Sequence, residues 1–235
     1  MSDPRFDLAL YPVPEAARLV RAPVRTLRDW LQGYRYVAGG RVVRAEPVIH
    51  PTVSDSGSVL SFVNLVEAGT LASFRRAGVS MQKVRRGLDH VSRGMGIAHP
   101  LASARILTDG VELFWEYQEA EGEDLHLVNI TRGGQKAFPD VVMRYLREVE
   151  WGPDSYATRW WLGASAPGEG TVVVDPRRAF AAPVIAGTGI RTEDIFLRFS
   201  AGEPLRELAE DYGLTLEQVE AALRAEARFL EPAAA

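Results

Sequence analysis

The chain has 235 residues, 46% of them hydrophobic and 25% charged, which allows one or two globular domains with a sizeable core. It has no cysteine, excluding a disulfide scaffold and a thiolate metal site; with no apolar run long enough to span a bilayer and no leader-like opening, a cytoplasmic protein with no membrane partner is expected. The net charge of −4 is unevenly spread: residues 1–100 carry 14 basic and 8 acidic side chains and residues 101–235 carry 13 and 23, as suits a nucleic-acid reader joined to a module with another task.

Residues 1–10 read as a ragged lead-in. From Tyr11 to Gly33, YPVPEAARLVRAPVRTLRDWLQG puts Ala17, Leu19, Val20, Leu27, Trp30 and Leu31 at helical spacing, with Pro14 suited to a first turn. Small Ala17, a turn near Arg21 and apolar Leu27 have helix-turn-helix spacing. Two steeply crossing helices need a small residue at their contact, a turn residue that tolerates positive φ, and an apolar residue that locks the second helix down. The turn has no glycine, so Arg21 has to tolerate that geometry or the turn is of another type. The second helix, Pro23 to Gln32, exposes Arg25, Thr26, Arg28, Asp29 and Gln32. Tyr34 to Val43, YRYVAGGRVV, follows as two β-prone runs around Gly39-Gly40, a hairpin by its turn chemistry. This order resembles the MerR-type winged helix-turn-helix, over roughly the first 45 residues. The resemblance implies that the second helix enters the major groove of duplex DNA, with Arg25, Arg28 and Gln32 at base edges or phosphates and Arg35 and Arg41 of the wing at phosphates. Arg21 and Thr26 complete the candidate DNA-binding set. The alternative is a solvated basic face on a small helical domain.

Residues 45–58 hold two prolines, serine and glycine and read as a linker. A helical block then opens at Ser61, with Phe62, Leu65, Val66, Leu71 and Phe74 as its core stripe. Gly78 and Val84 repeat the turn-and-lock spacing, although bulky Phe74 stands where a small residue is expected. Ser80 caps a helix carrying Lys83, Arg85, Arg86 and Arg93, which either adds DNA contacts or is merely solvated. His90 and His99 lack a second ligand at metal spacing and read as structural. Ala104 to Glu116 alternates as strands around Asp109-Gly110, another hairpin signal. Gln118 to Asp124 reads as an acidic loop, Leu125 to Ile130 as a strand, Pro139 to Val149 as an amphipathic helix, and Ala157 to Leu162 as a strand of a small mixed sheet. Ala164 to Gly170, ASAPGEG, is the cleanest linker.

The last stretch, Val172 to Phe229, opens on an apolar run that stops at Asp175-Pro176. Thr192 is the expected N-cap of a helix that Gly202 ends, with Glu193 and Asp194 in its first turn. Leu205, Leu208 and Ala209 begin a second helix that Gly213 closes. Thr215 to Gln218 fits a capping box for a third, with Val219, Ala222, Leu223 and Ala227 as its buried face. Asp175-Pro176, Pro183-Val184-Ile185, Gly187-Thr188, Ile190, Gly202, Tyr212 and the Leu214 to Leu223 helix resemble the DUF433 family of VapB-type antitoxins. Relatives carry an arginine between the Gly-Thr pair and the isoleucine. Here Gly189 stands there and Arg191 follows Ile190. The order of elements resembles long VapB-type antitoxins along nearly the whole chain.

No P-loop, dinucleotide fingerprint, nucleophile elbow or HExxH occurs, so neither an enzyme nor a bound cofactor is expected. The expected fold is α+β, mainly α: a winged helix-turn-helix over 1–50, a helical block with a small sheet over 59–163, and a three-helix domain over 171–230. What the resemblance implies is an antitoxin that neutralises a PIN-like ribonuclease and represses its own operon. The alternatives are a stand-alone MerR-like transcriptional regulator and a protein adaptor. A homodimer is expected, since palindromic operators match two-fold readers, with the C-terminal helices or the sheet bearing Trp160 and Trp161 as its surface. The candidate toxin-binding residues are Arg177, Arg178, Arg191, Glu217 and Glu220: arginine for an acidic nuclease pocket, carboxylates for its basic rim. Arg191 either enters that pocket or caps the turn beside Thr192.

Overall fold

The computed structural model describes residues 3–54, 57–121, 127–131 and 134–231. From Asp3 onward the first residues are structured, contrary to the ragged lead-in expected from sequence. Asp3 caps a one-turn helix, α1 (Pro4–Asp7), and Arg5 pairs with both Asp3 and Asp154, which ties the first residues to the middle of the chain. β1 (Tyr11–Pro12) leads into α2 (Val13–Val20) and α3 (Val24–Gln32), and the hairpin β2 (Tyr34–Ala38) and β3 (Arg41–Ala45) follows. The segment expected as a linker instead contains a second hairpin. β4 (Thr52–Ser54) pairs with β5 (Gly57–Leu60), and β5 pairs with β1, placing Tyr11 opposite Leu60.

The spine of the molecule is α4 (Phe62–Arg76), whose residues from Phe62 to Phe74 are buried on every side rather than along one stripe. Such a helix needs each polar group answered from within. Ser61 and Asn64 form a reciprocal capping box, Thr70 Oγ1 lies 3.0 Å from the carbonyls of Val66 and Leu101, and His99 Nδ1 lies 3.1 Å from a carboxylate oxygen of Glu67. The next helices are α5 (Met81–Met95) and α6 (Asp109–Glu121). They approach closely because a Cβ at Gly87 would meet Phe114 at 2.7 Å and one at Gly94 would meet Leu113 at 2.7 Å.

Helix α6 replaces the hairpin expected at Asp109-Gly110. Thr108 starts it, accepting the Glu112 amide at 3.2 Å, and Val111 and Phe114 are buried three residues apart. Gly110 serves packing, not a turn, since a Cβ there would meet Ile106 at 2.7 Å. The expected acidic loop is helical as far as Glu121, and residues 122–126 lie outside the described residues. The strand expected at Leu125 to Ile130 shortens to β6 (Asn129–Ile130), paired with β7 (Lys136–Ala137), and α7 (Asp140–Arg147) follows.

β8 (Val149–Trp151), β9 (Ala157–Trp161), β10 (Val172–Val174) and β11 (Pro183–Ile185) make a four-stranded sheet in the order β11-β10-β9-β8. Its pairings are antiparallel rather than mixed, and it runs straight across residues 164–170. Trp160 and Trp161 are 2% and 9% exposed, with indole N–H groups donating to Glu148 and Glu150. Both side chains are thus engaged within the fold. The chain closes with α8 (Thr192–Ser200), α9 (Leu205–Tyr212) and α10 (Leu216–Leu230). Arg191, not Thr192, is the cap residue of α8, and α10 buries Val219, Ala222, Ala225, Glu226 and Phe229, leaving Ala227 exposed. One continuous core runs from Tyr11 to Phe229.

Candidate nucleic-acid interface and partner-facing turn

The α2–α3 pair has the geometry its spacing demands. Ala17 and Leu27 are buried at the contact, and Arg21 adopts the left-handed conformation (φ 55°, ψ 51°) that ends α2. The Ala22 amide donates back to the Ala17 carbonyl at 2.9 Å. A non-glycine residue there costs about 1–2 kcal/mol. Arg21 meets part of this by pairing with Glu231 beyond α10.

Leu27, Trp30 and Leu31 fix the inner face of α3. Arg25, Arg28 and Gln32, three and four residues apart, therefore share the outer face and are exposed. Thr26 does not join them. It borders a recess of about 110 Å³ with Arg21, Trp30, Arg75 and Arg76, on the side facing α4. Arg21 likewise turns toward the C-terminal helix.

The β2–β3 hairpin is a wing. Gly39 and Gly40 take φ of 56° and 75°, the double positive φ of a tight two-residue turn. Arg35 stands directly opposite Arg44, and Val37 opposite Val42, on one exposed face, with Arg41 exposed beside the turn. Like charges placed opposite each other destabilise a hairpin unless an anion lies between them. The wing is held in place from two sides. Gly33 joins α3 to it at φ 72°, so close that a Cβ would meet the Ala45 carbonyl oxygen at 2.2 Å. Arg85 of α5 lies 5.5 Å over the Tyr34 ring and donates to the carbonyls of Asp29 and Glu46. Burial pushes its guanidinium below the usual arginine range, partly offset by Tyr34 and Asp29. Helix α3, the wing and α5 thus form one continuous surface.

The C-terminal helices are clasped to this unit. Glu226, 3% exposed, accepts from Arg18 of α2 at 2.8 Å and from the Thr192 hydroxyl at 2.5 Å, and Arg18 lies 5.2 Å over the Phe229 ring. Arg191 donates to Glu193 at 2.9 Å. Glu15 of α2 feels it too: burial raises the Glu15 carboxyl, and Arg18 and Arg191 partly offset the rise. Arg191 is thus engaged within the molecule. Glu217 and Glu220 are exposed on α10, Glu220 pairing with Arg224, whereas Glu203 is held by Arg198.

Arg177 and Arg178 are exposed and flank a feature the sequence did not announce. Ala179, Phe180 and Ala181 all take positive φ (46°, 53° and 60°), and Phe180 is 91% exposed. Three consecutive non-glycine residues in this region store roughly 1–2 kcal/mol each. The turn is nevertheless firmly held. Asp175, 4% exposed, accepts the Arg177 amide at 2.9 Å and the Arg159 guanidinium at 3.0 Å, while buried Tyr11 donates its hydroxyl to the Ala181 carbonyl at 2.9 Å. The result is a strained, firmly held turn that drives an aromatic ring into solvent. Its only sequence trace is RRAFAAP, an aromatic with no periodic partner.

Among the described residues, no helix is long and apolar enough to cross a membrane, and no group of three or more His, Asp or Glu is placed to hold a metal ion.

Known proteins match this arrangement along its whole length. Residues 9–88 fit the family described as "Putative DNA-binding HTH domain", which reaches past the wing through α4 and the first half of α5. Residues 172–224 fit DUF433, a family of unknown function. "Putative antitoxin VapB45" of Mycobacterium tuberculosis H37Rv is 38% identical over 232 residues, covering 94% of this chain and 95% of that protein. The chain belongs to the VapB-type antitoxin family. A second relative of this VapB-type chain, "Uncharacterized protein Rv2308" of the same organism, is 23% identical over 93% of this chain and 90% of its own length. The crystal structure of Rv2018 from M. tuberculosis is 35% identical, superposes with a TM-score of 0.76, and covers 93% of this chain and 99% of that one.

Proposed function

We propose that this VapB-type chain is a two-ended antitoxin: its winged helix-turn-helix binds duplex operator DNA and represses its own operon, and its C-terminal half holds a PIN-like ribonuclease. The observation that carries the DNA reading is the outer face of α3, where Arg25, Arg28 and Gln32 stand exposed beside a wing with facing arginines. Arg21 and Thr26 face inward and act on DNA only by positioning α3. Lys83 and Arg86 of α5 extend the same surface.

The partner reading rests on the family and on the Phe180 turn. Phe180 enters an apolar pocket of the ribonuclease, Arg177 and Arg178 meet carboxylates around it, and Glu217 and Glu220 supply a separate acidic contact. Arg191 shapes the start of α8 rather than entering the nuclease. Operator binding is as a homodimer, because one winged helix reads too few base pairs for specific affinity.

The test is co-expression of the full chain with the ribonuclease of its own operon, with growth and complex formation as readouts. Wild type rescues growth and co-purifies with the nuclease; Phe180→Ala loses at least about tenfold in affinity, as expected for an interface anchor. Equal rescue by wild type and Phe180→Ala would move the partner face elsewhere. Absence of rescue by wild type would end the antitoxin reading. Light scattering with operator DNA is expected to return two copies per duplex.

A further inference from the structure

We propose that a cleft lined by arginines from four separate elements binds a compact anion carrying two or more phosphates. The cleft has a volume of about 590 Å³ and opens into a smaller recess of about 170 Å³ through Arg21, Arg144, Glu148 and Arg228. Arg21 comes from the α2–α3 turn, Arg76 from the end of α4, Arg144 and Arg147 from α7, and Arg228 from α10. That size lies within the ordinary range for small-molecule sites.

Among the described residues, the charge inside is not balanced. Glu148, 2% exposed, accepts from Arg228 at 3.2 Å and from the Trp160 indole at 2.9 Å, and Glu231 takes Arg21. Asp140 stands exposed among the lining residues. Among the described residues, Arg76, Arg144 and Arg147 have no carboxylate within 4.0 Å. Arg76 is half-buried and donates to the Val20 carbonyl at 3.1 Å. Burial pushes its guanidinium down and neighbouring Arg21 and Arg228 push it further, partly offset by Tyr145 and Glu148. The Arg21 Nε is itself buried without a hydrogen-bond partner. The buried Arg21 Nε, half-buried Arg76 and exposed Arg144 and Arg147, gathered at one cleft, together offer donors to an anion with several oxygens.

Phosphates suit this site better than single carboxylates. Guanidinium groups pair with phosphate oxygens through two parallel N–H bonds, and several phosphates on one ligand engage several arginines at once. The C-terminal ends of α4 and α7 make arginine acceptable at those positions, but they do not explain why both ends point at one cleft. Nor is the cleft a continuation of the DNA face. Thr26, which borders the Arg21 and Arg76 side of α3, is turned away from Arg25, Arg28 and Gln32. A ligand here touches both the helix-turn-helix turn and α10, so its occupancy tightens α2 on the C-terminal helix.

The experiment is thermal unfolding of the full chain during titration with sodium tripolyphosphate, at ionic strength held constant with chloride. The expected result is a saturable rise in Tm. The double variant Arg144→Gln, Arg147→Gln, at two exposed positions, weakens that binding about tenfold or more. ATP in a second arm separates the sources: a larger rise than with tripolyphosphate assigns a nucleotide, a smaller one a free polyphosphate, and both support the site. A rise no larger than with sulfate at equal ionic strength overturns it, as does a rise unchanged in the double variant. Operator duplex is the third arm. Unchanged duplex affinity in the double variant supports a separate site. A salt slope lower by about two units makes these arginines part of the DNA track and overturns the proposal.

Discussion

The pairs α2–α3 and α9–α10 share one backbone design and present opposite surfaces. In the first, Ala17, Arg21 and Leu27 stand four and six residues apart; in the second, Ala209, Gly213 and Val219 repeat those offsets. Arg21 and Gly213 are both left-handed, with φ of 55° and 63°. The amides of Ala22 and Leu214 each return to the small alanine's carbonyl at 2.9 Å. Yet the second helix of the first pair exposes Arg25 and Arg28, and that of the second exposes Glu217 and Glu220. Only the first pair has a wing. The turn fixes how two helices cross, and the outward residues decide what the crossing meets; phosphates would accept the first face and repel the second.

The largest test of this likeness is at the locking residue. Leu27 and Val219 are both 0% exposed. Leu27→Ala is expected to cost about 2–5 kcal/mol in urea unfolding and Val219→Ala somewhat less, the loss of buried methyl groups plus a cavity. A cost below about 1 kcal/mol at either site would mean that pair is not locked in the same way.

The next test sharpens the contrast. Arg25→Ala and Arg28→Ala are each expected to lose about 1–3 kcal/mol of operator affinity where they read a base, and to lower the salt slope by about one unit where they meet a phosphate. Glu217→Ala and Glu220→Ala are expected to leave duplex binding unweakened in the same titration. Loss of operator affinity on removing either glutamate would refute the division of labour.

A smaller effect separates the two turns. Gly213→Ala places a β-carbon at positive φ and is expected to cost about 1–2 kcal/mol, whereas Arg21→Gly relieves the same strain and loses only a partly exposed ion pair, leaving stability nearly unchanged. Chemical denaturation of both variants decides it. Destabilisation by Arg21→Gly well beyond that by Gly213→Ala would show that the Glu231 pair governs the first turn.

The smallest effect lies outside both pairs, at His99 against Glu67 of α4. Burial disfavours its charged form, but the hydrogen bond and charge of Glu67 outweigh that and raise its pKa above the ordinary histidine value. A raised value means that the stabilisation is fully present below the unfolded pKa of about 6.5 and is lost as pH rises through the folded value. Stability is therefore expected to fall modestly above neutral pH, and His99→Asn is expected to flatten the fall. A profile of wild type that does not change over this range would remove the pair from the account.

What the sequence made legible was whatever depends on neighbours along the chain. The offsets of Ala17, Arg21 and Leu27, the Gly39-Gly40 wing and the Thr215 capping box are all short-range, and the structure carries each of them. What it hid depends on distant partners. Asp109-Gly110 imitates a hairpin turn, but the glycine is there because Ile106 lies against it. Thr26 differs from Arg25 by one residue, a rotation of about 100° that turns it toward α4. Arg21 is drawn toward α10 by a carboxylate that lies 210 residues away. The exposure of Phe180 reflects buried Tyr11 and Asp175 holding its turn, which no local pattern encodes.

Helix α4 has no solvent face from Phe62 to Phe74. Such a helix cannot loosen by fraying or by lifting away from the surface, because every direction of escape is occupied by another element. Its amide protons are therefore expected to exchange with solvent only through opening of the whole molecule, and to be the slowest in the chain. Excision is ruled out for the same reason. A fragment ending after the wing would leave buried residues such as Tyr11 and Leu27 without the rest of the core they share with α4, so the DNA-reading half endures only as long as the chain that surrounds it.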